Sequence, residues 1–261
     1  MSLRTKAWVM LVDERRTKLL KKIEEKGFVS IQELVESLQT SESTVRRDLE
    51  YLDDTSKQIR RTRGGAAYIG ESITAFDERR FQALGQKERI ARVVANLIEP
   101  HEVILLDGGT TTLEVARALL GKPLQVVTNS MPIVGLFVNQ PNIELIVIGG
   151  YVYPKTGVAL GDLAVAMLKN VHARRLVMSV GGITAAGLFN SNTLLVETER
   201  QMLAAAEEVI VVTDSSKFGH RALAHLAPLT AVHRLVVDGG VSDEWREVIE
   251  KAGIKLTVVE D

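Results

Sequence analysis

The stretch Thr40 to Leu52, TSESTVRRDLEYL, constrains the fold of this chain more than any other. Wound as a helix it separates into two faces, because Val45, Leu49 and Leu52 recur at i, i+4 and i+7 and form one apolar stripe. Ser43, Arg47, Glu50 and Tyr51 fall on the opposite side, with Arg46 on the flank. Ser41 is placed to cap the helix, its hydroxyl accepting from a first-turn amide. A short helix buried on one side, with adjacent arginines and small hydroxyls on the other, suits a groove lined with phosphates and base edges. Amphipathic helices with two arginines are more often plain solvated faces, so the neighbouring segments decide.

Those neighbours form a small domain. Ser30-Ile31-Gln32-Glu33 is a capping box that opens a helix through Leu34, Val35 and Leu38. A turn around Gln39 and Thr40 leads into the arginine helix, and helix, tight turn, helix is a DNA-reading unit. Upstream, Asp13 to Lys26 places Leu19, Leu20 and Ile23 on one side of a supporting helix that stops at Gly27. Phe28-Val29 is a short extended piece. Downstream, Ile59 to Gly65 reads as the second strand of a β-hairpin, or wing, with Lys57, Arg60, Arg61 and Arg63 set to contact phosphates.

Taken together, Phe28-Val29-Ser30, Ser41-x-x-Thr44-Val45-Arg46-Arg47-Asp48-Leu49, Leu52 and Arg63-Gly64-Gly65-Ala66 resemble the DeoR family of bacterial transcriptional regulators. The chain departs from that pattern twice. Asp53 to Gln58 stands where the family usually has a glycine after the recognition helix, and Arg63 stands where it usually has His.

At 261 residues there is room for one small and one larger domain, and 46% hydrophobic with 25% charged residues is ordinary for a globular protein. The formal net charge of -1 gives no global attraction to nucleic acid, so DNA binding must rest on locally concentrated arginine. Absence of cysteine excludes disulfides and thiolate metal sites and fits a reducing cytoplasm. The longest early apolar run, Ala7 to Val12, is too short for a membrane span or a signal-peptide core, so no membrane partner is expected.

The expected organisation is a winged helix-turn-helix over 1–67, a linker over 68–86 that is either partly helical and docked on the second domain or simply solvated, and an α/β domain over 87–261. In that last part apolar runs at Val103–Leu106, Gln125–Val127, Ile143–Ile148, Leu176–Val180, Val209–Val212, Leu235–Val237 and Lys255–Val259 alternate with helical stretches. The fold class is therefore α/β, a mostly parallel sheet covered by helices behind the DNA-reading unit. Ligands in such sheets sit where strands end and helices begin.

There the chain repeats one chemistry. Asp107-Gly108-Gly109-Thr110-Thr111-Thr112 precedes a helix, as does Thr128-Asn129-Ser130; Gly149-Gly150 and Gly181-Gly182 follow two more strands. Thr213-Asp214-Ser215-Ser216-Lys217-Phe218-Gly219 follows another. Amides, hydroxyls and a lysine suit a phosphate, while Asp and Asn suit sugar hydroxyls. Each cluster alone is ordinary turn chemistry; their recurrence at several strand ends favours a site. These segments, with Glu197 in the long helix, also resemble the effector domain of DeoR-type regulators. The resemblance implies a domain related in fold to sugar-phosphate isomerases, a phosphorylated sugar or related metabolite as effector, and repression of carbohydrate genes that the effector relieves.

A sugar-phosphate isomerase or deaminase with an accessory DNA-binding domain is the rival. It needs a positioned base, yet Leu176 to Val196 carries no Asp, Glu, Lys or His. Asp107, Glu197, Asp214 and Lys217 remain as possible catalysts, so binding is favoured over catalysis and no catalytic residue is assigned. With five scattered histidines and no metal, GxGxxG or Walker motif, no metal or cofactor is expected. The reading is a cytoplasmic, homo-oligomeric repressor that binds a double-stranded DNA operator. Ser43, Thr44, Arg46 and Arg47 would meet the DNA, with Arg60, Arg61 and Arg63 on phosphates. Asp107 to Thr112 and Lys217 would hold the effector's phosphate. Thr128, Asn129, Ser130, Gly149, Gly150, Glu197 and Asp214 complete the expected effector site, with Asn129, Glu197 and Asp214 on hydroxyls.

Overall fold

The computed structural model describes residues 12–26, 28–55, 59–62, 64–68 and 76–260. The chain divides into two compact units, Met1–Ser72 and Ile73–Asp261.

The first unit runs α1 (Val12–Lys26), β1 (Phe28–Ser30), α2 (Ile31–Leu38), α3 (Glu42–Thr55), β2 (Ile59–Arg61) and β3 (Gly65–Tyr68). Ser30 caps α2 by accepting from the Glu33 amide at 3.2 Å, and Gln39 ends it with φ of 48°. Ser41 caps α3, its Oγ accepting from the Thr44 amide at 3.3 Å. Leu19, Ile23, Val29, Ile31, Leu34, Val45, Leu49, Leu52, Ile59 and Ala66 make one core. The expected stripe of α3 is thus its buried face.

The wing differs from the sequence expectation. Ile59–Arg61 is the first strand of the hairpin, and the second begins at Gly65, because Thr62 turns the chain with its amide donating to the Gly65 carbonyl at 2.9 Å. β3 is the middle strand, antiparallel to both β1 and β2. A Cβ on Gly65 would lie 2.2 Å from the Val29 carbonyl oxygen, so that position tolerates no side chain. Gly27, Lys57 and Arg63 lie outside the described residues.

The second unit opens with α4 (Phe76–Phe81) and α5 (Leu84–Leu97). It continues through β4 (Val103–Leu106), α6 (Thr110–Ala118), β5 (Leu124–Thr128), α7 (Met131–Phe137) and β6 (Ile143–Val147). A hairpin of β7 (Tyr151–Tyr153) and β8 (Val158–Leu160) leads to α8 (Asp162–Leu168) and β9 (Ala173–Met178). Then come β10 (Gly182–Thr184), β11 (Gly187–Asn190), α9 (Thr193–Ala204), β12 (Ala206–Thr213) and β13 (Ala224–Ala227). The unit closes with β14 (Arg234–Asp238), α10 (Asp243–Lys251) and β15 (Lys255–Val259).

Seven strands form one parallel sheet in the order β15-β14-β12-β9-β4-β5-β6. Apolar clusters cover both faces, which is why these strands are continuous apolar runs. The chain lays down β4, β5 and β6 in one direction, then returns to β9 on the far side of β4 and builds outward the other way. The order therefore reverses between β4 and β9, and the crevice beyond their carboxyl ends is where such sheets bind ligands.

Residues 76–86, expected as part of a partly helical linker docked on the second domain, are helical in part and fall within this second unit. Phe76 packs against the apolar cluster on one face of the sheet, and its amide donates to the Lys155 carbonyl at 3.2 Å.

One charged contact braces the first unit. Asp48 on α3 is 2% exposed and accepts from Arg15 Nε at 2.6 Å and Arg16 Nε at 3.0 Å, both on α1. Asp48→Ala should leave two poorly solvated guanidinium groups without their acceptor and cost about 1–3 kcal/mol. Urea unfolding of the full chain, followed by helical circular dichroism, should show an earlier transition. An unchanged profile would remove Asp48 from the framework.

Candidate functional site

In the first unit, Ser43, Arg46 and Arg47 are exposed on the free face of α3, and Thr44 is half-buried. Ser41 Oγ lies 3.0 Å from Ser43 Oγ and 2.8 Å from Thr44 Oγ1, so three hydroxyls cluster at the helix start. Arg46 folds back on Glu42, with Nη2 to Oε1 at 2.7 Å. Arg61 pairs with Glu50 at 3.2 Å, and its amide donates to Asp53 Oδ2 at 3.2 Å. Among the described residues, the side chains of Arg47 and Arg60 engage no carboxylate and no hydrogen-bond acceptor. The acidic residues Glu50, Asp53 and Asp54 occupy the C-terminal half of α3. Cationic and hydroxyl groups are therefore concentrated at its N-terminal half, with Arg60 and Arg61 presented by β2.

In the second unit, a cleft of about 110 Å³ lies at the reversal in strand order. Thr110 and Thr111 reach it from the start of α6, Ser179 and Val180 from the end of β9, and Val212, Thr213, Asp214, Ser216 and Lys217 from the end of β12. Arg79, Gln82, Ala83 and Lys87 close it from α4 and α5. Gly109 begins α6, and a Cβ there would lie 2.2 Å from Ser179 Oγ, so the helix start must approach β9 without a side chain. Its first-turn amides face the crevice end of the sheet.

Three cationic residues line this cleft. Lys87 is only 4% exposed, and its Nζ donates to the Arg79 carbonyl at 2.7 Å. Burial pushes its ammonium below the usual lysine range; Asp214 and Glu114 oppose that shift, whereas Arg79 and Lys217 reinforce it. Asp214 is occupied locally, accepting from the Ser216 amide at 3.1 Å and from the Ser216 hydroxyl. The cleft is thus a cationic, hydroxyl-lined seat, which suits an anion.

A second cluster lies at the strand ends beside it. Asp107 follows β4 and Asn129 and Ser130 follow β5, and Leu106 pairs with Thr128, so these residues sit side by side on adjacent strands. All three are fully buried. Asn129 Nδ2 donates to the Ala159 carbonyl at 3.0 Å, but its Oδ1 and Ser130 Oγ have no partner. Neither carboxyl oxygen of Asp107 meets a well-aligned donor. Burial raises its pKa to about 7, and the nearby Gly108 amide offsets this only in part.

The expected effector residues thus separate into roles. Thr110, Thr111, Asp214 and Lys217 line the cleft, while Asp107, Asn129 and Ser130 form the buried cluster. Thr112 Oγ1 donates to the Gly109 carbonyl at 2.9 Å and Thr128 Oγ1 to the Leu106 carbonyl at 2.7 Å, so both hydroxyls serve the framework. Gly108 packs where a Cβ would strike the Val158 side chain at 1.9 Å. The Gly149 amide points to Met167 Sδ at 3.3 Å, and Gly150 adopts a φ of 149°. Neither glycine lines the cleft.

Glu197 is displaced from the expected role: it lies on the exposed face of α9. The buried acid of that helix is Glu199, 1% exposed, with Oε1 accepting from Asn190 Nδ2 at 2.7 Å. Its pKa is pushed well above the usual carboxyl range by burial and then by the charge on Asp107. Spacing carries that signal, since Leu195, Glu199 and Met202 follow a helical stripe from which Glu197 is absent. Lys87 escapes the sequence reading for a similar reason. It stands on the Ile90, Ala91, Val94 stripe of α5, an apolar face on which a lysine needs a purpose.

Among the described residues no three His, Cys, Asp or Glu side chains converge to hold a metal ion. No helix among them is long and apolar enough to cross a membrane.

Comparison with known proteins places both units. The family model of the DeoR-like helix-turn-helix domain matches residues 15–72, and that of the DeoR C-terminal sensor domain matches residues 82–239. The HTH-type transcriptional regulator YulB of Bacillus subtilis is 32% identical over 253 residues, covering 96% of this chain and 98% of that one. UlaR of Escherichia coli (strain K12 / DH10B), also an HTH-type transcriptional regulator, is 28% identical over 247 residues, covering 93% and 97%. Among solved structures, ribose 5-phosphate isomerase A from Neisseria gonorrhoeae overlaps 52% of this chain and 54% of its own, with 17% identity and a TM-score of 0.38.

The buried acid makes stability depend on pH. Asp107 binds its proton more tightly in the folded protein, with a pKa of about 7, than as an ordinary solvated carboxyl at 3.8. Its stabilising contribution is therefore complete below pH 3.8 and is lost as pH rises to about 7. Asp107→Asn should melt above the wild type at pH 8, by an amount on the order of a few kcal/mol, with the gap closing towards pH 4. Thermal melts across that range would show it; a gap independent of pH would contradict the ionisation argument.

Proposed function

Because the chain belongs to the DeoR family and is a DNA-binding transcriptional regulator of sugar metabolism, we propose that it is a repressor released from its operator by a phosphorylated sugar. The observation that carries this reading is the cationic cleft at the reversal of strand order. Arg79, Lys87 and Lys217 surround hydroxyls and a helix N-terminus, a combination built for a phosphate dianion. An arriving phosphate would offset the burial, and the Arg79 and Lys217 charges, that hold the Lys87 ammonium below its usual range.

At the other end of the chain, the N-terminal half of α3 would enter the major groove. Arg47 is the base reader in this reading, with Ser43 and Thr44 beside it. Arg46 and Arg61 would exchange their present carboxylate partners for phosphates, and Arg60 would meet a phosphate directly. Arg63 is assigned to the same wing contact on its sequence position alone. A symmetric homo-oligomer gripping two half-sites in the cytoplasm completes the proposal.

The regulator reading is favoured over an isomerase by the names of the full-length relatives and by the neutral loop after β9. Ser179-Val180-Gly181-Gly182 supplies no acid or base to the cleft.

Arg47→Ala should weaken operator binding by about 1–3 kcal/mol and relax sequence preference, whereas Arg60→Ala should lower affinity for all sequences and reduce the salt slope by about 1. Fluorescence anisotropy on operator and scrambled duplexes distinguishes the two, and equal binding by the Arg47 variant would remove it from the interface. Lys217→Ala should bind operator normally but need about ten times more sugar phosphate for release. A normal response would exclude Lys217 from the effector site.

A further inference from the structure

Asp107, Asn129, Ser130 and Glu199 are each no more than 1% exposed, and together they leave an unusual set of atoms unpartnered. Both Asp107 oxygens, Asn129 Oδ1 and Glu199 Oε2 meet no well-aligned donor, and Ser130 Oγ is unpaired. The donors these groups do use are fixed elsewhere: the Asn129 amide nitrogen is spent on the Ala159 carbonyl, and Glu199 Oε1 is held by Asn190. What remains is rich in acceptors and poor in donors. Buried polar atoms in folded proteins nearly always find partners, so this set is shaped for something that brings donors.

The cluster also adjoins the anion seat along the backbone. Asp107 stands three positions before Thr110, and between them Gly108 and Gly109 hold the chain against Val158 and Ser179 with no room for side chains. The C-terminal ends of β4 and β5 thus present an inner acidic face next to an outer cationic one.

We propose that this inner cluster selects the uncharged, hydroxyl-rich end of a sugar phosphate and rejects a sugar acid. The inference rests on the cleft being the phosphate seat. Hydroxyl groups can donate to the free oxygens of Asp107 and Asn129, while Ser130 Oγ and the protonated Glu199 Oε2 can each donate or accept. A carboxylate in the same place brings only acceptors, and its negative charge would lie beside Asp107 and Glu199. Glu199 is already held towards its protonated form by burial and by Asp107, so the cluster accommodates no third carboxylate without loss.

The test is calorimetric titration of the full chain at pH 7.5 with inorganic phosphate and with matched pairs. The pairs are ribose and ribonate 5-phosphate, and glucose and gluconate 6-phosphate, with sorbitol 6-phosphate as a fully reduced third member. In a pair that binds, the neutral compound should be favoured at least tenfold. Asp107→Asn, which removes a charge and supplies an amide donor, should narrow that preference at least threefold. If phosphate binds but the acid binds as well as its neutral partner, or better, the selectivity is overturned and the seat survives. If the Asn variant discriminates as strongly as wild type, Asp107 is not the source and the proposal falls. If neither phosphate nor any phosphorylated compound binds, the phosphate seat itself is wrong and the inference goes with it.

Discussion

The reversal of strand order at β4 is the constraint on which the sensor unit depends. In a parallel sheet each strand ends at the same edge, and the helix after it starts there with unpaired amides. Where successive connections all run one way, helices cover that edge. Between β4 and β9 the connections diverge, so the edge stays open. Thr110 and Thr111 of α6, Ser179 after β9 and the Thr213–Lys217 segment after β12 converge there because the topology leaves them nowhere else to go. The two helices that precede the sheet in sequence, α4 and α5, then add Arg79 and Lys87 from the outside.

The two polar clusters at this edge have opposite character, and each is costly by itself. Lys87 is a buried cation near two others, and Asp107 is a buried carboxyl near a second. Groups kept in such surroundings lower the stability of the empty fold and are typical of sites whose partner arrives from outside. The proposed ligand, with a dianionic end and a hydroxyl-rich end, would supply each cluster with what it lacks. For such binding to control DNA, the ligand must prefer the state of the protein that holds DNA less well.

Sequence periodicity identifies every strand of the main sheet and the buried stripe of α3, because continuous apolar runs and a stripe at i, i+4, i+7 each leave one burial solution. It is less informative wherever a polar residue sits on an apolar stripe. Lys87 and Glu199 occupy core positions by spacing but carry surface chemistry, and of the two acids on α9 it is Glu199, not the expected Glu197, that is buried. The short pairs β7–β8 and β10–β11 are also illegible, since three- or four-residue strands bordered by glycine show no period to read. Between Phe76 and Gln86 the isolated Phe76 and Phe81 carry no period to read, so the packing of Phe76 on the sheet and the place of Arg79 in the cleft are not visible in the sequence.

The consecutive residues Arg47 and Asp48 link the stability of α3 to the reading role proposed for it. Neighbours in a helix point about 100° apart, so one can face outward while the next faces the core. Asp48 turns inward to Arg15 and Arg16 of α1, and Arg16 also lies 3.6 Å from the centre of the Tyr51 ring on α3. Those contacts fix the rotation of α3 about its axis, which the apolar stripe alone would hold less tightly because Val, Leu and Leu can repack. A rotation of a few tens of degrees would move the Arg47 guanidinium by several ångströms at the radius of a long side chain, enough to lose a bidentate base contact. If Arg47 reads bases as proposed, Arg15 and Arg16 of α1 aim it through Asp48. The family signature in which Arg46, Arg47, Asp48 and Leu49 follow one another is, physically, an outward pair followed by the two inward anchors that aim it.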